Sequence, residues 1–171
     1  DTKFVGPLQV QKKELGYTMD FPSRPGEKID IQDIPASVLA GLGIDSKPIE
    51  AYKARDLMLV YDNDKIIQDI KPNFNILTEY DDFIIVTAKS SDKKYDFISR
   101  FFCADDGIAE DPVTGSSHCT LTPYWSAKLG KKKLSAYQAS KRGGELALEV
   151  TGDRILISGK ALTIIEGNMR V

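Results

Sequence analysis

The residues of this chain with the clearest chemical potential lie in one stretch, Glu110-Asp111-Pro112-Val113-Thr114-Gly115-Ser116-Ser117-His118-Cys119. It places a carboxylate, a turn of small residues and a hydroxyl just before a segment of helical composition. Helix amino termini carry unpaired N–H groups and a partial positive charge, so a carboxylate or another anion is stabilised there. Gly115 would let such a guest approach the backbone closely. On composition alone the plainer reading, Ser116 as the helix cap and Asp111 as a turn residue, weighs more.

The same stretch invites other chemistries, which its spacing disfavours. Asp111, Ser116 and His118 contain the residue types of a hydrolytic triad. Two helical positions apart, however, Ser116 and His118 face nearly opposite sides, and there is no G-x-S-x-G elbow. Cys103, His118 and Cys119 are too few for a closed zinc site and adjacent helical residues diverge, so no metal is expected. His118 is instead expected to be hydrogen-bonded beside the turn, with Cys119 packed in the core. The acidic run Asp105, Asp106, Glu110 and Asp111 lacks calcium-loop spacing, and no phosphate-binding glycine motif follows a strand. No cofactor is expected.

Elements that could position this stretch follow from the periodicity. Lys3–Val10 reads as a strand, and Leu15, Tyr17, Met19 and Phe21 alternate as a half-buried strand broken by Pro22, Pro25 and Gly26. Asp33 is expected to cap a helix over Ile34–Leu42, ended by Gly43. Ile49–Ala54, Asp56–Asp62 and Lys65–Asp69 read as a small meander with a turn at Asp62-Asn63-Asp64. Pro72 opens a short helix to about Tyr80, and Phe83–Thr87 is a buried strand. Tyr95–Phe102 is the strand that leads, through a turn at Asp105-Asp106-Gly107, into the chemical stretch. A helix then runs Ser116–Leu129, with Pro123 expected to kink it and Gly130 to end it. Lys131-Lys132-Lys133 reads as a solvated helix exit. Strands at Glu145–Val150, Arg154–Ser158 and Ala161–Glu166 form a second meander.

The bulk properties narrow the classes of function. The chain has 171 residues, enough for one well-buried core, with 42% hydrophobic residues. A formal net charge of -2 offers no field for nucleic acid or an anionic membrane surface. Two cysteines do not make a disulfide framework, and no run of about 18 apolar residues is present to span a bilayer. A soluble cytoplasmic protein is expected. Opening at Asp1 without an initiator Met, directly in a strand-like segment, suggests a fragment or a processed piece.

Several blocks carry a resemblance that spacing could not supply. Arg100–Cys119 (RFFCADDGIAEDPVTGSSHC) followed by Thr122–Lys131 (TPYWSAKLGK) resembles the signature stretch of the phenazine-biosynthesis PhzF-like family. Gln138–Leu146 (QASKRGGEL), Met19–Pro22 (MDFP) and Ile84–Ala88 (IIVTA) are similar to further family blocks and occur in the family's order. The resemblance implies an α/β (α+β) fold of diaminopimelate-epimerase-like type. Each of its two lobes would be a curved mixed or antiparallel sheet or barrel wrapped around a central helix, here Ser116–Leu129, with the active site between the lobes.

Residues 1–171 would form the single carboxyl-terminal lobe, with Asp1–Val10 and the last strand belonging to or contacting the missing amino-terminal lobe. The implied function is an isomerase lobe in cofactor-independent proton transfer on a small carboxylate-bearing metabolite. Asp111 maps to the catalytic, orienting position, and Gly115 and Ser116 map to substrate binding. The family's general-base glutamate and its Cys-Gly-His segment belong to the amino-terminal lobe and are not found here, so this chain alone is expected to be inactive. Where related racemases have a Cys-Gly segment, this chain has Thr114-Gly115-Ser116, which disfavours two-cysteine racemisation. Expected partners are the small carboxylate substrate and the missing lobe. An exposed lobe interface would favour association, with a homodimer as one outcome. The alternative is a non-catalytic binding or scaffold protein of the same fold.

Overall fold

In a computed structural model, residues 8–13, 16–103 and 108–168 are described. The strands are β1 (Gln9–Lys13), β2 (Gly16–Pro22), β3 (Glu27–Ile29), β4 (Glu50–Lys53), β5 (Leu57–Tyr61), β6 (Ile84–Lys89), β7 (Phe97–Phe102), β8 (Lys133–Gln138), β9 (Gly144–Thr151) and β10 (Arg154–Gly159). The helices are α1 (Ala36–Gly41), α2 (Asp64–Asp69), α3 (Phe74–Leu77) and α4 (Gly115–Leu129). All ten strands join one sheet in the order β1-β2-β10-β9-β8-β7-β6-β5-β4-β3.

The sheet is mixed because two connections must cross over. β5 and β6 run parallel, joined through α2 and α3, and β7 and β8 run parallel, joined through α4. The other neighbours are antiparallel. The fold is therefore α+β with an open sheet rather than a barrel. Among the described residues β1 and β3 are its two edges, and no pairing closes them.

Two apolar layers follow from strand alternation. One face of β5, β6 and β7 presents Leu57, Leu59, Ile84, Val86, Ile98 and Phe102 to α1, α2 and α3. The opposite face presents Met58, Val60, Ile85, Phe97 and Phe101, which share a second core with Cys119, Leu121 and Trp125 of α4 and with Leu134, Leu148 and Ile157. Covered on both sides, β5 is buried at all five positions, which explains why Leu57-Met-Leu-Val-Tyr61 is continuously apolar instead of alternating.

Several expectations need correction. Asp33 ends a short 3-10 turn, Ile31–Asp33, whose amino end is capped by Asp30 accepting from Gln32 N–H at 2.9 Å, and Pro35 precedes α1. Lys65–Asp69 lies in helix α2, because the Asn63 side chain accepts from Ile66 N–H at 3.2 Å and caps it. Lys131-Lys132-Lys133 is exposed directly after α4, as expected, but Lys133 also opens an unexpected strand, β8, whose inward residues Leu134, Ala136 and Gln138 alternate with polar neighbours. Ala161–Glu166 forms no strand among the described residues. β10, from which the tail departs, already has β2 and β9 on its two sides, leaving the tail no edge there. Lys3–Pro7, Leu15 and the Asp105-Asp106-Gly107 turn lie outside the described residues.

Pro123 does not interrupt α4, which runs through it to a left-handed Gly130 (φ 65°). The proline lacks the N–H that would bond Cys119 C=O one turn back. That carbonyl instead accepts from Arg24 N–H at 2.9 Å, which fastens the loop after β2 onto the helix. No described helix is long and apolar enough to cross a membrane.

Candidate active site

Sequence order explains how the turn reaches its place. After β7 the chain doubles back along that strand's end. Phe102 and Glu110 form a bridge, and Asp111 N–H donates to Phe101 C=O at 3.1 Å. Arg100 fixes the return with a two-pronged ion pair, Nε to Glu110 Oε1 at 2.7 Å and Nη2 to Oε2 at 3.0 Å. Its Nη1 also donates to Ile70 C=O at 2.7 Å.

Asp111-Pro112-Val113-Thr114 is then held by the end of β8, the loop after it and the start of β9. Buried Gln138 donates through Nε2 to Asp111 C=O at 2.7 Å and to Thr114 Oγ1 at 3.0 Å, and its Oε1 accepts from Thr114 N–H at 2.8 Å. Ser140 Oγ donates to Pro112 C=O at 2.8 Å. Gly144 completes the fit, since a Cβ there would lie 2.2 Å from Val113 Cγ2. On the other side of the turn, Met19 and Phe21 of β2 approach Gly115. Three separate sequence blocks thus converge on one turn.

Thr114, not Ser116, is the residue before the helix, and its side chain does not cap it. The Thr114 hydroxyl donates to Asp111 Oδ2 at 2.6 Å, leaving the first amides of α4 without that side chain as an acceptor. Ser116 Oγ accepts from Arg55 Nη2 at 3.0 Å, and Arg55 is anchored to buried Asp56 by bonds of 2.7 and 2.8 Å. Burial raises the Cys119 thiol pKa, and the positive charges of Arg24, Arg55 and Arg154 oppose that rise. The amino half of α4 is therefore electropositive by both helix polarity and nearby guanidinium groups.

Asp111, Gly115 and Ser116 are each half-buried, so all three retain exposed surface. The structure brings them together around the start of α4. A Cβ on Gly115 would meet Phe21 and Met19 only at 3.9 to 4.0 Å, ordinary contact distances, so packing within the chain does not demand glycine there. Two hollows of the surface, of about 380 and 440 Å³, lie elsewhere and are not lined by these residues.

His118 is fully buried. Its Nδ1–H donates to Thr114 C=O at 2.7 Å, its ring lies 6.0 Å from the Phe97 ring, and burial pushes its pKa down to about 4. Neutral and turned inward, it is not a base for Ser116, whose hydroxyl faces Arg55. Cys119 is buried, as expected. Among the described residues no three His, Cys, Asp or Glu side chains gather to hold a metal.

Sequence reasoning missed Gln138, Thr114, Arg55 and the Arg100–Glu110 pair. The signals available were the adjacency of Thr114 to the helix start and the presence of Arg100, Glu110, Thr114 and Gln138 in family-like blocks.

The sequence profile described as "Phenazine biosynthesis-like protein" matches residues 6–167. An uncharacterized isomerase of Halalkalibacterium halodurans is 40% identical over 96% of this chain and 61% of its own length. Another from Pseudomonas aeruginosa is 38% identical over 97% of this chain and 62% of its own length. A crystal structure of a PhzF-family phenazine biosynthesis protein from Enterococcus faecalis aligns with a TM-score of 0.84 at 41% identity, over 97% of this chain and 62% of that one. The chain thus spans a little over three fifths of the length of these relatives, and nearly all of it is matched. The chain belongs to the phenazine biosynthesis-like, or PhzF, family.

Proposed function

We propose that this chain supplies one wall of an isomerase site at which a proton is moved on a small carboxylate-bearing metabolite. The observation that carries the reading is the start of α4, where the Thr114 hydroxyl turns to Asp111 instead of capping the helix while Arg55 reaches Ser116. The first amides are thereby left to receive a carboxylate. A glycine that internal packing does not require, Gly115, keeps the approach clear. Asp111, steadied by Thr114 and with its backbone held by Gln138, orients the polar part of the guest.

In this reading the sheet face sharing a core with α4 wraps that helix as its central element, giving one lobe of a diaminopimelate-epimerase-like pair. The general-base glutamate belongs to the part of the longer relatives that this chain does not match, so the chain by itself binds but does not turn over. Abstracting a proton from carbon requires a base within hydrogen-bonding reach of that proton.

The test is carbon-bound hydrogen exchange in deuterated water, followed by mass spectrometry across a panel of small carboxylic acids. A full-length relative should exchange one position of one acid, and the equivalent of Asp111→Ala should lower its rate at least 100-fold, within the usual range of a lost catalytic group, while thermal unfolding stays cooperative. No exchange on any acid, or an unaffected Asp111→Ala variant, contradicts the reading.

A second reading, a non-catalytic binding or scaffold protein, draws on the chain's one imidazole. His118 is buried, neutral and turned away from Ser116, so the chain offers no imidazole base at the turn. It predicts carboxylate binding without exchange in the full-length protein.

A further inference from the structure

We propose that the hollow of about 440 Å³ beside Tyr52 and Tyr124 is a second ligand site, which takes a small primary ammonium with an apolar body and has Lys128 as its built-in occupant. It lies between β4, β5, the loop at Pro25-Gly26 and the carboxyl half of α4. It shares no residue with the turn at Asp111. Tyr124 is eight residues beyond Ser116, roughly 12 Å along the helix.

The walls are apolar and aromatic. Tyr52 and Tyr124 meet edge to face, with centroids 5.2 Å apart, and Pro25, Met58 and Pro123 complete the lining. One anionic group serves this surface. Glu50, its side chain only 16% exposed, accepts at Oε2 from Tyr52 Oη at 2.7 Å and from Tyr124 Oη at 3.3 Å, and at Oε1 from Lys128 Nζ at 2.5 Å. Burial alone would raise its pKa, but the bonds from Lys128 and Tyr52 outweigh burial and hold it below the ordinary carboxylate value. A partly buried carboxylate that stays ionised between two phenol rings calls for a cation.

Lys128 already shows which cation fits. Its ammonium bonds Glu50 while standing 6.0 Å from the Tyr124 ring centroid, within reach of the negative ring face. Yet Lys128 is 51% exposed, and a half-exposed lysine pair is weakly held. An alkylammonium guest makes the same ion pair and also buries its carbon chain against Pro25 and Pro123. An anionic guest would meet Glu50, and a neutral one would forfeit the ion pair.

The experiment is a titration of the chain with n-pentylammonium chloride and, separately, with 1-pentanol at matched ionic strength, read from the ring proton signals of Tyr52 and Tyr124. Pentylammonium should give saturable shifts, with affinity at least tenfold above that of pentanol. Lys128→Ala should tighten pentylammonium binding at least threefold by vacating the carboxylate, and Glu50→Gln should erase the preference for the amine. If Glu50→Gln unfolds, Tyr124→Leu, which keeps the carboxylate, should weaken amine binding at least threefold. Absence of saturable amine binding, equal affinity for amine and alcohol, or no tightening in Lys128→Ala overturns the proposal.

Discussion

At the scale of single residues, burial sets the pH behaviour of this chain. His118 is enclosed, its Nε2 has no partner among the described residues, and its pKa lies near 4 against 6.5 when exposed. The unfolded chain therefore takes up a proton at this position before the folded chain does. Stability from this residue is complete above about pH 6.5, declines as the pH falls, and reaches its full loss below about pH 4, amounting to about 3 kcal/mol. Urea unfolding between pH 7 and 4 should show this decline, and His118→Leu should flatten it over that window. Glu110 provides a second test at this scale. Its removal leaves Arg100, whose side chain is 9% exposed, without its carboxylate, so Glu110→Ala should cost about 3 to 5 kcal/mol in the same assay.

At the scale of elements, the turn before α4 is tied to the end of β8 and the start of β9. The contact between Gly144 and Val113 gives a direct measure of it. Gly144→Ala forces a Cβ against Val113 and should destabilise the chain by about 1 to 3 kcal/mol. Val113→Ala removes the methyl that is struck, so the double variant should be less damaged than the two single losses summed, a coupling that a double-mutant cycle in urea reads out.

Local signals of elements were legible in the sequence where chemistry is local. Gly130 adopts the left-handed conformation expected after a helix, and the apolar run at Ile84 marks a strand buried on both faces. Positions decided by partners distant in sequence were not legible. β8 alternates Leu134 and Ala136 with lysine, serine and tyrosine, a pattern that gains meaning only between β7 and β9. The Ala161–Glu166 tail has strand composition, but β10 has both sides filled. At the turn, Asp111, Gly115 and Ser116 could be named from spacing and resemblance. Gln138 could not be given a role, because its amide meets Thr114 across 24 residues.

At the scale of the whole molecule, one open sheet carries a helical layer on one face and α4 on the other, and the crossovers deliver the start of α4 to the end of β7. Relatives are longer by more than a third of their own length. Leu162, Ile164 and Ile165, 84 to 87% exposed in this chain, are apolar surface of a kind that usually meets a partner. The claim on which the functional account rests can be tested without that partner. A 15N-labelled sample of the chain, titrated with a small carboxylate such as benzoate, should show saturable shifts at the Gly115, Ser116 and Ser117 amides, reduced by Arg55→Ala, while amides of α2 stay still. Unmoved α4 amides at saturating carboxylate, or shifts spread evenly over the sheet, would contradict an anion seat at the start of that helix.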